Sequence, residues 1–215
     1  MANITHPFGF RPSRYMDGTA WNGMTTMYAF STSETHDTYI GDVLSFDSTN
    51  RSTGIVDPFL NGVPVLQANV AAMTTTKVRG IAVSFLPQPD FSQSATASLG
   101  LRYRVASTAR YVAVVEDQAA IFEAEESGNS YTSSSSNGVN KNCDIVYAAG
   151  STITGISGTK LDATTIVTNA ALPFRLYRMT QRVDNFNFAS TDTNSLLHWD
   201  VFIGNSELAQ GLNGA

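Results

Sequence analysis

The chain has 215 residues, which is long enough to bury a hydrophobic core without help from disulfide bonds. Charged residues make up 14% of the chain, well below the roughly 25% of an ordinary soluble domain, whereas serine and threonine supply about a fifth. The formal net charge is −5 and there are only three lysines. A surface that tracks phosphate groups is therefore not expected, which argues against a nucleic-acid partner.

A single cysteine, Cys143, excludes an intramolecular disulfide and a multi-cysteine zinc site. Its apolar setting in CDIVYAAG predicts a buried, structural thiol. No hydrophobic run of signal-peptide length opens the sequence, and nowhere do about 18 apolar residues follow one another. We therefore predict no membrane partner and expect the chain to be made in a cytoplasm.

Residues 1–27 are predicted to form an extended N-terminal arm. Pro7 and Pro12 bracket a segment with two aromatic residues, and proline fixes φ and biases the preceding residue toward extended geometry. Two interpretations of the aromatic anchors Phe8, Phe10 and Trp21 stay open. They either fold back on their own domain or insert into a neighbouring subunit.

Residues 28–215 are predicted to form a single all-β domain, a compact barrel or sandwich of short antiparallel strands with long loops. A sub-boundary near residues 90–100 is the alternative. Apolar alternation predicts strands at 28–31, 39–46 and 77–86, with a possible bulge at Gly80. Residues 55–76, which contain two prolines, are predicted to be a covering loop, with a short helix considered only at 67–73.

The segment RYRVASTARYVAVVEDQAAIFEAEES, residues 102–127, is predicted to organise the domain. Residues 111–115 are apolar on both faces, which predicts a central strand. A second strand at 120–127 follows almost at once, so we expect a hairpin with residues 117–119 in the turn. Further along, residues 128–142 are predicted to be a polar surface loop, residues 164–181 two strand pieces and residues 196–203 a closing edge strand.

The strongest concentration of carboxylates is Glu116, Asp117, Glu123, Glu125 and Glu126. Paired carboxylates could catalyse glycoside hydrolysis or bind calcium. However, the sequence has no calcium-loop spacing, and the cluster is interpreted as a solvated charge patch that protects a sheet edge.

No catalytic, cofactor-binding or metal-binding residue is predicted, and the chain is interpreted as a protein without enzymatic activity. Ser157 lies in GISGTK, which only approximates the motifs of serine nucleophiles. The three histidines lack metal-ligand spacing. Arg102, Arg104 and Arg110 could form a basic stripe but are assigned to ion pairs within or between subunits.

Several segments together carry a family resemblance: PFGFRPSRYMDGTAWNG, YIGDVLSFDST, RGIAVSFLPQPD, ARYVAVVEDQAAIFEAEESG, RMTQRVDN and LLHWDVFIGN. Nearly the whole chain thus resembles the head decoration, or capsid cement, proteins of tailed bacteriophages. The short segments GDVL and GIAV, with an aspartate between them, also resemble more weakly the compact β-tulip decoration proteins of lambda-like phages, although this chain is much longer.

The resemblance implies a structural virion protein on the outside of an icosahedral capsid. Its partners would be the major capsid protein and further copies of itself, as a homotrimer or similar oligomer, and it would need no cofactor. Such a protein would cement neighbouring capsid subunits from outside. We expect the arm, through Phe8, Phe10, Arg11, Arg14 and Trp21, to carry much of the capsid or subunit contact.

Two alternatives remain open at this point. A tail-tube or baseplate component of the virion would also be acidic and rich in β-structure. A carbohydrate-binding β-sandwich or a small hydrolase is the second alternative, and it would need a cleft with aromatic platforms or a carboxylate pair near Glu116 and Glu123.

Overall fold

A computed structural model describes residues 6–46, 63–68, 77–86, 101–128, 138–182, 185 and 196–208. In chain order the strands are β1 (Arg11–Tyr15), β2 (Thr26–Phe30), β3 (Val43–Phe46), β4 (Leu66–Ala68), β5 (Gly80–Phe85), β6 (Arg110–Val115), β7 (Ala120–Glu125), β8 (Asn142–Cys143), β9 (Ile145–Val146), β10 (Lys160–Leu161), β11 (Phe174–Met179) and β12 (His198–Ile203). One short 3-10 helix, Ala163–Thr165, lies between β10 and β11. The predicted all-β fold is confirmed.

The strands form two five-stranded antiparallel sheets that pack as a sandwich and not as a closed barrel. Sheet I has the order β1-β7-β12-β11-β8, and sheet II has the order β2-β6-β5-β3-β4. A third ladder pairs β9 with β10. Among the described residues, no helix is long and apolar enough to cross a membrane.

The main hydrophobic core lies between the two sheets and follows from strand alternation. In β7, Ala120, Phe122 and Ala124 point into this core, and Val43 and Ile81 reach it from sheet II. A second cluster lies on the opposite face of sheet II and includes, among others, Tyr28, Phe30, Leu44, Val112 and Val114. Sheet II is therefore apolar on both faces, whereas sheet I has one apolar face and one charged face.

Strand β6 is the central strand that its sequence predicts. All six of its residues are buried, and it pairs with β2 on one side and β5 on the other. The predicted hairpin is wrong, however, because β7 pairs with β1 and β12 in the other sheet. The connection at residues 116–119 thus carries the chain from sheet II to sheet I.

Four further predictions need correction. Residues 164–181 contain one strand, Phe174–Met179, and not two strand pieces. Residues 198–203 form an interior strand between β7 and β11 and not a closing edge. Residues 66–68 form the edge strand β4 within the segment predicted as a covering loop. The irregularity in β5 lies between Ala82 and Ser84 and not at Gly80. The alternative sub-boundary at 90–100, the tip of the polar loop at 129–137 and residues 69–73 of the considered helix lie outside the described residues.

The segment predicted as an arm contributes directly to the domain. Residues 11–15 form β1 at one edge of sheet I, and Phe10 is 1% exposed and stacks on Phe174 with 4.4 Å between the ring centroids. The amide of Phe10 also donates to the carbonyl of Gly41 at 2.9 Å. Of the two interpretations left open for the aromatic residues, Phe10 follows the first, because it folds into its own core.

Replacement of Phe10 by alanine should therefore destabilise the monomer strongly. We expect Phe10→Ala to lower the free energy of unfolding by about 3–5 kcal/mol, because a fully buried aromatic ring leaves a cavity. The matched control is Phe8→Ala, which removes a half-buried ring and should lower the free energy of unfolding by about 1 kcal/mol. Urea unfolding of both variants measures the difference, and equal losses would contradict the packing of Phe10.

Candidate functional site

The outer face of sheet I carries the largest group of charged side chains with described contacts. In β7, Glu123 and Glu125 alternate with the core residues, and in β12 His198 and Asp200 do the same. Asp200 lies directly opposite Glu123 in the antiparallel ladder. Two carboxylates facing each other on neighbouring strands would repel, so this register requires cations.

Four arginines supply these cations in two pairs. At Glu123, Arg11 Nη2 donates to Oε2 at 2.5 Å and Arg182 Nη1 donates to Oε1 at 2.7 Å. At Asp200, Arg14 Nη2 and Arg178 Nε both donate to Oδ2, the latter at 3.0 Å. Each carboxylate is therefore held between two guanidinium groups that come from different segments of the chain.

Two β-bulges bring these arginines to one face. Arg11 and Arg14 are three residues apart, and so are Arg175 and Arg178, so regular alternation would send the members of each pair to opposite faces. The register of β1 shifts between Pro12 and Arg14, and that of β11 shifts between Leu176 and Arg178. Because each bulge inserts one residue, both arginines of each pair share the outer face.

We call this surface the arginine face and define it by Arg11, Arg14, Arg175, Arg178 and Arg182. The fifth member, Arg175, is exposed and lies over the Phe202 ring at 5.9 Å. Five of the ten arginines of the chain thus lie on one sheet face, although the chain as a whole is acidic. Sequence reasoning missed this clustering, for which the repeated R-x-x-R spacing at 11–14 and 175–178 is the available signal.

The charges on this face are layered by depth. The side chains of Glu123 and Asp200 are only 6% and 3% exposed, whereas those of Arg11 and Arg178 are 59% and 39% exposed. Burial by itself would raise the pKa of Glu123, but hydrogen bonds from its imidazole and guanidinium neighbours outweigh burial and lower this pKa to about 2. The face therefore presents positive charge to solvent and keeps its negative charge beneath.

This geometry corrects the interpretation of the acidic cluster as a solvated edge patch. Glu123, Glu125 and Glu126 are all at most 5% exposed, and β7 is an interior strand. Glu125 forms an ion pair with Lys160 Nζ at 2.6 Å, and Glu126 accepts a hydrogen bond from the indole of Trp199 at 3.0 Å. These three acidic residues are thus internal partners of cations and donors, whereas Asp117 is exposed.

The first described residues of the chain cross this face beside Glu125. The backbone amide of His6 donates to Glu125 Oε2 at 3.0 Å. The Phe8 ring lies 5.3 Å from the His198 ring, and the Arg11 guanidinium lies 5.2 Å from the Phe8 ring on which it packs. The aromatic residue is therefore held between an imidazole and a cation.

The structure brings together three of the five residues predicted to form an interface. Phe8, Arg11 and Arg14 lie together at the outer face of sheet I. Phe10 lies in the core, and Trp21 is partly buried against the same core. The indole nitrogen of Trp21 has no hydrogen-bond partner among the described residues.

A second polar network surrounds Glu116 at the end of β6. Glu116 accepts hydrogen bonds from the hydroxyls of Thr26 at 2.7 Å and Tyr28 at 2.5 Å, and it pairs with Arg79 at 2.9 Å. Burial and the neighbouring Glu116 raise the pKa of Tyr28. Glu116 also lines an open cleft of about 360 Å³. Its described partners differ from those of Glu123.

Ser157, the approximate nucleophile match, belongs to a buried structural network. Its hydroxyl is buried and donates to Asp42 Oδ1 at 2.5 Å, and Thr159 donates to the same oxygen at 3.3 Å. The amide of Tyr39 donates to the other oxygen of Asp42 at 2.7 Å. Burial raises the pKa of Asp42 to about 6, in spite of these hydrogen bonds.

The assignment of Arg104 to an ion pair also needs correction. Arg104 is 0% exposed, and its guanidinium donates to four backbone carbonyls, those of Ser31, Glu34, His36 and Thr108. The described hydrogen bonds of Arg110 likewise go to carbonyl oxygens. Both side chains therefore fasten loops, whereas Arg102 is exposed.

Cys143 is 0% exposed, which confirms the predicted buried thiol. Within the described part of the chain, no group of three or more His, Cys, Asp or Glu side chains is placed to hold a metal ion. No family model, curated protein or solved structure matches the chain.

The candidate interaction site is therefore chosen from geometry alone, and it is the arginine face with its exposed guanidinium groups.

The lowered pKa of Glu123 gives the arginine face a defined pH dependence. A carboxyl group whose pKa falls from 4.5 to about 2 on folding stabilises the protein above pH 4.5 and loses that contribution as the pH falls toward 2. We expect Glu123→Gln to lower the free energy of unfolding by about 2 kcal/mol at neutral pH. Urea unfolding at decreasing pH should show this difference shrinking below 4.5, and a constant difference would contradict the ion pairs.

Asp42 should behave in the opposite sense. Its folded-state pKa is about 6 and its ordinary value is 3.8, so its contribution to stability is complete below 3.8 and is lost as the pH rises through 6. Acidification from neutral pH should stabilise the wild type relative to Asp42→Asn, by at most roughly 1.4 kcal/mol per pH unit. Thermal unfolding of both proteins tests this, and parallel pH profiles would contradict it.

Proposed function

We propose that the chain is a structural virion protein that binds the outside of an icosahedral bacteriophage capsid and cements neighbouring major capsid protein subunits. The observation that carries the proposal is the arginine face, a sheet surface on which four of the five arginines are held by buried carboxylates. The segment from Phe8 to Trp21, which opens the family resemblance, contributes β1 and two of the five arginines to that face. Resemblance and geometry thus point to the same surface.

Fixed arginines suit a protein interface for a physical reason. An arginine that binds a partner normally loses side-chain freedom, which costs about 0.5–1.5 kcal/mol for each immobilised side chain. Here Arg11 and Arg14 are already held by buried carboxylates and still expose 59% and 25% of their side chains. A guanidinium has five N–H donors, so a pair with one carboxylate leaves further donors that suit the carboxylates and carbonyls of a protein partner.

The shared core and the cross-strand ion pairs of the sandwich fit a mechanical role. Its two sheets share one core, and sheet I is tied across four of its strands by ion pairs between β1, β7, β12 and β11. A cement protein acts by binding repeatedly over a particle, so modest individual contacts are sufficient when several are made together. The proposed location is therefore the capsid exterior after synthesis in the host cytoplasm.

The copy number of the protein in purified particles tests the proposal. We expect quantitative mass spectrometry to give a ratio near one to one between this protein and the major capsid protein. Removal of the protein should lower the temperature at which particles release their genome, and addition of the purified protein should restore it. A handful of copies per particle would favour a tail or baseplate component, and absence from particles would overturn the proposal.

A further inference from the structure

A turn at residues 151–156 presents apolar side chains to solvent. Ile153 lies at its tip and is 89% exposed, and Ile156 is 38% exposed. Single exposed apolar residues are common on protein surfaces and need no explanation. These two lie together on one turn, however, and the backbone of that turn is held by hydrogen bonds at both of its ends.

Hydrogen bonds within the turn close it on itself. The amide of Gly155 donates to the carbonyl of Ser151 at 2.7 Å, and the amide of Ser151 donates to the carbonyl of Ile156 at 2.9 Å. The hydroxyl of Ser151 also accepts a hydrogen bond from the amide of Thr154 at 3.3 Å. The two ends of the turn are therefore fixed to each other, and Ile153 projects from a closed loop of backbone.

The closed turn is also fastened to the body of the domain. The amide of Ile40 donates to the carbonyl of Gly155 at 2.9 Å, and the amide of Ser157 donates to the carbonyl of Ile40 at 2.9 Å. Gly155 has a φ of 73° and packs so closely on Arg102 that an added Cβ would lie 2.5 Å from Arg102 Cβ. An ordered turn needs no further ordering when it binds a partner, which removes one of the usual costs of association.

The contact with Gly155 places a cation beside the turn. Arg102 is exposed, and among the described residues no ion pair involves its guanidinium. We call this surface the isoleucine surface and define it by Arg102, Ile153 and Ile156. Exposed apolar area next to a positive charge is complementary to a protein partner that offers an apolar pocket with a carboxylate at its rim.

The isoleucine surface and the arginine face belong to different parts of the fold. The arginine face lies on β1 and β11 of sheet I and on the residues that follow β11. The isoleucine surface is attached to Ile40, which precedes β3 of sheet II, and it includes Arg102, which precedes β6 of the same sheet. One copy of the protein therefore has two separate surfaces to offer to partners.

Cementing needs a contact with each of two neighbouring capsid subunits, and the arginine face is the proposed contact with one of them. We propose that the isoleucine surface contacts the other. Ile153 enters an apolar pocket of that subunit, and Arg102 pairs with a carboxylate at the rim of the pocket. The inference rests on the proposed function, because it names the second of the two contacts that cementing requires.

Particles that lack the protein, supplied with purified full-length variants, test the contact. Ile153→Ser with Arg102→Ala removes the two side chains that enter or border the pocket of the partner. We expect the double variant still to bind particles through the arginine face, with a dissociation constant raised about ten-fold or more. At saturating concentration it should occupy the particles and yet fail to restore their genome-release temperature, because one of the two contacts is missing.

Met24→Ser is the matched control. Met24 is 62% exposed and lines the cleft beside Glu116, outside both surfaces, so this variant should bind and stabilise particles as the wild type does. Thermal unfolding of the isolated double variant should match that of the wild type, because Ile153 and Arg102 are exposed and the turn is closed by backbone groups and Ser151. If the double variant is less stable in isolation, Ile153→Ser alone takes its place with the same expected result.

Two results would overturn the inference. One is a double variant that restores the genome-release temperature as well as the wild type does, and the other is an equal loss of this effect in Met24→Ser. The proposed function is judged separately by the copy number of the wild type in particles. A near-equimolar copy number together with full stabilisation by the double variant would leave the function standing and remove this inference.

Discussion

The structure depends on the way in which sheet I accommodates two carboxylates that face each other. Glu123 and Asp200 occupy paired positions on its two interior strands, with almost no solvent to screen their repulsion. Removal of a charge from water costs several kcal/mol even after local relaxation, and only close cations with additional hydrogen bonds offset that cost. The arginines are thus a condition for the register of β7 and β12.

This requirement ties distant parts of the sequence together. Glu123 is held by Arg11, 112 residues earlier, and Asp200 by Arg14, 186 residues earlier. If the N-terminal segment left sheet I, Glu123 and Asp200 would each lose one of their two guanidinium partners. Together with the burial of Phe10, this explains why a sequence with the local features of a free arm forms an edge strand of the domain.

The sequence predicts the type of the elements better than their partners. The apolar residues of β6 and the turn chemistry of its neighbours are local properties, and the prediction of a central strand in an all-β fold is confirmed. The pairing of β7 is not a local property, because a short connection between two strands suits a hairpin and a crossing between sheets equally well. From the sequence alone the carboxylates of β7 suggest an exposed edge, because the arginines that neutralise them lie far away in the chain.

The same reasoning explains why the candidate site was found only in part. Phe8, Arg11 and Arg14 lie in the segment that the sequence singles out, but Arg175 and Arg178 join them only because both strands contain a bulge. A bulge inserts one residue and reverses alternation from that point, and few sequence signals announce it. The interaction surface is therefore created by two backbone irregularities.

Burial of the carboxylates also gives the surface its character. Had Glu123 and Asp200 been exposed, they would have neutralised the arginines from the outside, and the face would have been a mixed and weakly charged surface. With the acids beneath and the guanidinium groups above, the same pairs stabilise the sheet and still direct positive charge outward. One set of ion pairs therefore both fixes the strand register and prepares a cationic surface on an acidic protein.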